Sequence, residues 1–206
     1  MSGRTSKITQ VAKAISDGGV AIIATDTVYG IVASARSDVA VERLYALKRR
    51  PRCVPVSLLC SDIEMLLVAL PDLGSRQRAA LELVLPGPYT FVVHDDTSEF
   101  SRLRGDAGAR LGVRVPDLPP GAREVVARAG PLASSSANLH GGRDPSSIEE
   151  LVPALAESAD AVIDEGVLPG TASTVVDITG TRPIVLRDGA VSEGDVVARL
   201  QPVFNP

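Results

Sequence analysis

Short apolar runs alternate with amphipathic stretches along this chain, and that alternation constrains the fold more than any other feature. Val20 to Ala24 is the first such run, rich in β-branched residues and sized for a buried strand. Val56 to Cys60, Tyr89 to His94, Val113-Arg114-Val115, Leu132 to Ser136, Ala161 to Ile163, Ser173 to Asp177 and Ile184 to Arg187 read the same way. Between them lie helical patterns. Ile8, Val11, Ala12 and Ile15 mark one face of a helix that Gly18-Gly19 ends. Asp38 caps a second, with Val39, Val41, Leu44, Tyr45 and Leu47 as its stripe, closed before Pro51. Ile63 to Leu70, Ser75 to Leu85, Ala122 to Ala129, Ile148 to Ala156 and Val191 to Leu200 are further helices. Strands and helices taking turns predict an α/β layered fold around one sheet. No Pro/Gly/Ser-rich linker and no repeat divides the 206 residues, so a single domain, residues 1–206 with a core of about 8–190, is expected.

Composition removes several classes of function. Lys and Arg total 21 against 25 for Asp and Glu, and this slight acidity argues against a DNA coat. Aromatics are only 3% of the chain, too few for rows of base-stacking rings. No apolar run approaches the roughly 20 residues that span a bilayer, and no apolar core follows the polar stretch Met1 to Lys7 as a secretory signal would require. Cys53 and Cys60 are too few for a disulfide framework and predict a reduced, cytoplasmic protein. Neither His94 nor His140 shows ligand spacing with them, so no metal site is expected.

Three polar clusters remain as candidates for chemistry. Thr25-Asp26-Thr27 follows the first strand, and ligands of open α/β sheets bind beyond strand carboxyl ends; a plain turn and N-cap is the competing reading. Lys48-Arg49-Arg50-Pro51-Arg52 sets four cations in five residues, a concentration that an anion would relieve. A solvated helix end, or a nuclear-localisation or RNA patch, explains it equally well. Ser134-Ser135-Ser136-Ala137-Asn138, with Gly141-Gly142 behind, offers hydroxyls, a carboxamide and backbone N–H groups, or simply a polar turn. No P-loop run is present, and Ser136 lacks the setting of a nucleophile. Arg114 alternates with apolar neighbours and so faces away from them, while Arg187 closes an apolar run. With Arg50 and Arg52 they place cations near strand ends, a pattern that suits a polyanion such as a nucleoside triphosphate.

The order and spacing of several blocks resemble the YrdC-like family, which includes threonylcarbamoyl-AMP synthases and YciO-like paralogues. The blocks are Thr25-Asp26-Thr27-Val28-Tyr29-Gly30, Lys48-x-Arg50-Pro51-Arg52, Pro86-Gly87-Pro88-Tyr89-Thr90, Val113-Arg114-Val115-Pro116-Asp117, Ser136-Ala137-Asn138, Ser173-Thr174-Val175-Val176-Asp177 and Leu186-Arg187-Asp188-Gly189. The resemblance implies a three-layer α/β fold, with a twisted mixed open sheet flanked by helices around a concave cavity. It implies condensation of L-threonine, bicarbonate and ATP, with Mg²⁺, to threonylcarbamoyl-AMP and pyrophosphate, for threonylcarbamoylation of tRNA. A carbamate formed from threonine and bicarbonate would attack the α-phosphorus of ATP, with no protein nucleophile. By the same resemblance Lys48, Arg50, Ser136 and Asn138 form a tetrad along the ATP phosphates. Thr25, Arg52, Arg114, Ser173 and Arg187 then bind nucleotide or threonine. Lys48→Ala should on that reading cost far more in turnover than in thermal stability.

The resemblance adds tRNA or double-stranded RNA and a downstream threonylcarbamoyl transferase as partners, and excludes the membrane. The chain reads as a short form without the additional C-terminal domain of longer synthases. Departures from the family pattern are Ala24, Arg49, Cys53, Val54 and Leu85. The alternatives are a YciO-like paralogue with altered or lost activity, and an RNA-binding module that uses the basic cavity.

Overall fold

In the computed structural model, residues 2–204 are described, so Met1, Asn205 and Pro206 of the expected domain lie outside the described residues. Nine strands form one mixed sheet, ordered β7-β1-β2-β6-β3-β5-β4-β8-β9. They are β1 Val20–Ile23, β2 Gly30–Ser34, β3 Ser57–Leu59, β4 Tyr89–His94, β5 Arg110–Arg114, β6 Leu132–Ser136, β7 Ala161–Val162, β8 Thr174–Asp177 and β9 Ile184–Arg187. The β1/β7, β3/β5 and β4/β8 pairs are parallel, and the other neighbours are antiparallel. Seven helices flank the sheet: α1 Ser2–Ser16, α2 Asp38–Lys48, α3 Ile63–Ala69, α4 Ser75–Val84, α5 Pro120–Ala129, α6 Pro153–Ser158 and α7 Glu193–Phe204. No helix of the described residues is long and apolar enough to cross a membrane.

The helix signals act through local physics. Gly18 takes φ 88° just past α1, a conformation that costs glycine little. Asp62 caps α3 by accepting from Met65 N at 2.8 Å. The cap of α2 corrects the sequence reading: Ser37 accepts from Ala40 N, while Asp38 opens the first turn, where its charge suits the helix dipole. The stretch expected as one helix over 148–156 is instead a 3₁₀ turn, Ile148–Glu150, followed by α6. Pro153 has no N–H to donate and disfavours a helical Val152, so it starts a new helix at N1. Strand β2 was not foreseen. Its Gly30, Ala33 and Ser34 have little strand propensity, and only its place between β1 and β6 makes it one.

Alternation sorts each strand onto two faces. On one face Ile22, Ile31, Leu58, Phe91, Val113, Ala133 and Val176 pack beneath α2, α3, α4, α6 and α7. On the other, Ala21, Ile23, Val32, Leu59 and Leu132 pack beneath α1 and α5, which lie against each other. The three layers are thus helices, sheet and helices, but the second helical layer is short. It covers the β7–β1–β2 end and stops at Leu59 and Leu132. Beyond that point the same face carries small and polar residues.

Candidate active site

A cavity of about 390 Å³ opens on that uncovered face. Its floor takes alternate residues of three strands, Ser57 on β3, Thr90 and Val92 on β4, and Arg110, Gly112 and Arg114 on β5, together with the consecutive Ser134, Ser135 and Ser136 of β6. Their neighbours Leu58, Phe91, Leu111, Val113 and Ala133 face the core. Gly112 keeps the floor low, since a Cβ there would lie 3.2 Å from Ser57 Oγ. Volume and lining suit a small polar ligand held at a few fixed points.

The Thr25-Asp26-Thr27 turn forms one wall. Thr25 itself is not on the cavity. Its Oγ1 donates to Val28 O at 2.7 Å and accepts from Thr27 N and Val28 N, which folds the turn tightly. With that proton committed, Thr27 Oγ1 donates to Thr25 Oγ1 and accepts from Arg114 Nη2 at 3.1 Å. Asp26 pairs with the same Nη2 at 3.0 Å and also accepts from Asp117 N. Arg114, 9% exposed, is thereby aimed into the cavity with its Nε lacking a hydrogen-bond partner among the described residues. Burial, more than any charge, disfavours its guanidinium; Asp26 favours it and Arg187 disfavours it. Within this block it is Thr27 and Asp26, not Thr25, that meet Arg114 beside the cavity.

Arg187 reaches the cavity through a β-bulge. Val176 pairs with Val185 but Val175 pairs with Arg187, so the register shifts and two consecutive residues, Leu186 and Arg187, both line the site. Arg187 Nη2 donates to Ser173 O at 2.8 Å and to Ser173 Oγ at 3.3 Å, and Ser173 Oγ shares a hydrogen bond of 2.8 Å with Thr90. The chain then passes Ser173 so closely that a Cβ on Gly189 would meet Ala172 O at 2.4 Å and Ser173 O at 2.6 Å. Gly189→Ala is therefore expected to push Arg187 off Ser173 and to destabilise the fold by about 1–3 kcal/mol, read as a lower denaturation midpoint together with weaker ligand binding.

The expected tetrad divides in two. Arg50 and Ser136 line the cavity, whereas Lys48 and Asn138 lie behind it. Lys48 is 0% exposed, and its Nζ donates to Ser136 O, Asn138 O at 2.7 Å and Asn138 Oδ1 at 2.8 Å. Those three bonds use all its donors, so Lys48 grips the end of β6 from below. Burial, with help from Arg50, pulls its ammonium down to about 8, and Asp144 acts in the opposite direction. Asn138 is equally committed: Oδ1 also accepts from Ser136 Oγ, and Nδ2 donates to Gly142 O and Asp144 Oδ1.

Arg50 rests on carbonyls, donating from Nε to Val54 O at 3.2 Å and from Nη2 to Pro55 O at 2.7 Å. Val54, a departure from the family pattern, thus contributes through its backbone. Burial and Arg187 both disfavour the charge on Arg50, so the cations of this cavity repel one another and favour an anion. Arg52 is not brought into the cavity. Its guanidinium pairs with Glu42 and lies 4.1 Å from the centre of the Tyr45 ring. Helix α2 ends with Arg49 in the left-handed conformation, φ 50°, which swings Arg50 inward and leaves Arg52 on the surface.

Sequence reasoning placed Asp26 and Thr27 in a candidate turn but singled out none of Ser57, Thr90, Arg110 and Asp144, each on or beside the cavity. The signal that could have found two of them is the alternation itself: Ser57 and Thr90 stand polar beside the core residues Leu58 and Phe91. No group of three or more His, Cys, Asp or Glu residues among those described could hold a metal ion.

Comparison with known proteins places this geometry. The Sua5/YciO/YrdC family model, described as "Telomere recombination", matches residues 13–189. A Mycobacterium tuberculosis protein provisionally named threonylcarbamoyl-AMP synthase is 37% identical over 193 residues, 92% of this chain and 87% of that protein. The crystal structure of P. abyssi Sua5 complexed with L-threonine superposes with a TM-score of 0.82 at 27% identity, over 96% of this chain and 57% of that one. The crystal structure of Escherichia coli YciO superposes with a TM-score of 0.79 at 28% identity, over 90% of both chains.

Proposed function

The chain belongs to the Sua5/YciO/YrdC family, and from that premise we propose that it is a threonylcarbamoyl-AMP synthase, an adenylyl-transferring enzyme that joins L-threonine, bicarbonate and ATP. The observation that carries the reading is the meeting of Arg50, Arg114 and Arg187 with hydroxyls in one cavity on the sheet. Threonine's amine and bicarbonate give a carbamate and water. A carbamate oxygen then bonds to the α-phosphorus of ATP as the bond to pyrophosphate breaks. The chemistry needs no protein nucleophile, only charge neutralisation and positioning. Arg50 and Arg187 would meet the phosphates, with Ser136 and Ser173 beside them. Arg114, a cation on the cavity wall, is suited to the threonine carboxylate, and Thr27 to its polar groups. Lys48 and Asn138 hold Ser136 in place, and Thr25 shapes the turn that presents Thr27. Arg52 has no part in the cavity.

Mg²⁺ finds no ligand set of its own on the described residues, and Asp144 is engaged by Asn138. Such an ion would arrive on the phosphates of ATP, and no step is routed through it. The free thiols of Cys53 and Cys60 suit the cytoplasm as location. A downstream threonylcarbamoyl transferase and tRNA are its natural partners on this reading.

Incubation with ATP, labelled bicarbonate and L-threonine should yield labelled threonylcarbamoyl-AMP and pyrophosphate in equal amounts. Absence of both, from folded protein with Mg²⁺, would remove the synthase reading. A second reading is a YciO-like role, favoured by the 90% coverage of both chains in that superposition. Rescue of a strain lacking its own synthase separates the two.

A further inference from the structure

We infer that His140 is a positioning residue for Arg50: its imidazole anchors one edge of the guanidinium, so that the remaining N–H groups meet the anionic substrate. The inference rests on the cavity being a triphosphate site, and it adds a residue that neither the cationic cluster nor the tetrad contains.

The loop after β6 carries His140 back to the end of α2, where its backbone N donates to Lys48 O at 2.9 Å. That bond brings the ring beside Arg50, with Arg50 Nη1 and His140 Nδ1 3.3 Å apart. A guanidinium has no acceptor, so in this contact Arg50 is the donor. Nδ1 must then present a lone pair, and the ring proton sits on Nε2. The contact therefore exists only for neutral histidine.

Arg50 has five N–H groups. Nε is held by Val54 O and one Nη2 proton by Pro55 O. With one Nη1 proton on His140, a single N–H remains on each terminal nitrogen, enough for a two-point grip on phosphate. Two of the three anchors are backbone carbonyls, and His140 is the one that a side-chain substitution removes.

The charges around the ring act together. Arg50 is in contact, Lys48 lies at the end of the same helix, and Arg187 acts on Arg50 across the cavity. Asp144, on the loop of His140, is taken by Asn138 Nδ2 and acts on Lys48. A second cation in place of the imidazole would repel Arg50 as well as remove the acceptor.

The test measures ATP affinity by calorimetry for the wild type, His140→Ala and His140→Gln, with turnover alongside. Glutamine keeps an acceptor at this place. All three proteins should melt alike, because His140 is exposed. His140→Ala should bind ATP about fivefold more weakly than wild type, and His140→Gln close to wild type. Equal affinities of wild type and His140→Ala would overturn the inference. If product forms but the variants do not differ, this inference falls and the synthase reading stands. If the affinities follow the pattern but no product forms, the synthase reading falls and the anchoring role stands.

Discussion

Lys48→Ala is expected to lose both turnover and stability, where the resemblance alone implied a far larger loss in turnover than in thermal stability. The ammonium is enclosed, and its three acceptors, Ser136 O, Asn138 O and Asn138 Oδ1, have no water to replace it. Removing it leaves a cavity and orphaned oxygens, a combined cost of about 3–5 kcal/mol. For a chain of this size that lowers the melting temperature by roughly 10 °C. Turnover should fall by about two orders of magnitude or more as Ser136 and the following loop lose their support. Calorimetry and product assays on the same preparation check both. A variant with the wild-type melting temperature would show that the loop holds its shape without Lys48.

The same residue sets opposite pH dependences for stability and activity. Its amine is drawn down from 10.5 to about 8 on folding, so below about 8 it is charged in both states and the full burial penalty is present. Between about 8 and 10.5 the unfolded chain binds more protons than the folded one, and this residue's contribution to stability rises with pH. A neutral amine has only two N–H groups for three acceptors, so the grip on β6 weakens over the same range. Denaturation midpoints corrected for other groups and kcat should diverge above about pH 8; a parallel decline would contradict the buried position of the charge.

Arg114→Ala is the second large effect. It strands Asp26, whose side chain is 9% exposed, without its cation partner, a change that costs about 3–5 kcal/mol. It also removes a cation from the cavity wall, and turnover should drop by about two to three orders of magnitude. The paired substitution Arg114→Ala with Asp26→Asn should restore much of the stability, because no buried charge is left alone, yet recover none of the activity. L-Threonine should raise the melting temperature of the wild type and leave that of the double variant unmoved. A shift of equal size in both would place the threonine carboxylate elsewhere.

Much of this protein is legible before folding is considered. Gly18, Gly130 and Pro120 punctuate helices by backbone chemistry that depends on no distant neighbour, and the strands β4, β6 and β9 have their expected limits. The missing strand β2 and the helix broken at Pro153 show where local reading stops: one needed its neighbours, the other a proline weighed against an apolar pattern. At the site, the cationic run beside α2 pointed to an anion, but neighbours in sequence met different fates. Arg50 turns inward after a left-handed Arg49, and Arg52 goes to Glu42 and Tyr45.

What the sequence by itself determined is the alternation of strands and helices, the apolar face of each, and the residue types available for an anionic ligand. These follow from periodicity and side-chain chemistry, which act over a few residues. Only the tertiary structure decided which of those residues share a cavity. That depended on where the α1/α5 layer ends, on a one-residue bulge that turns Arg187 in, and on long-range bonds from Lys48 to residues 88 and 90 positions away. Hydrogen bonds and burial across such separations have no local signature, because each partner keeps its own propensity until the sheet brings the two together.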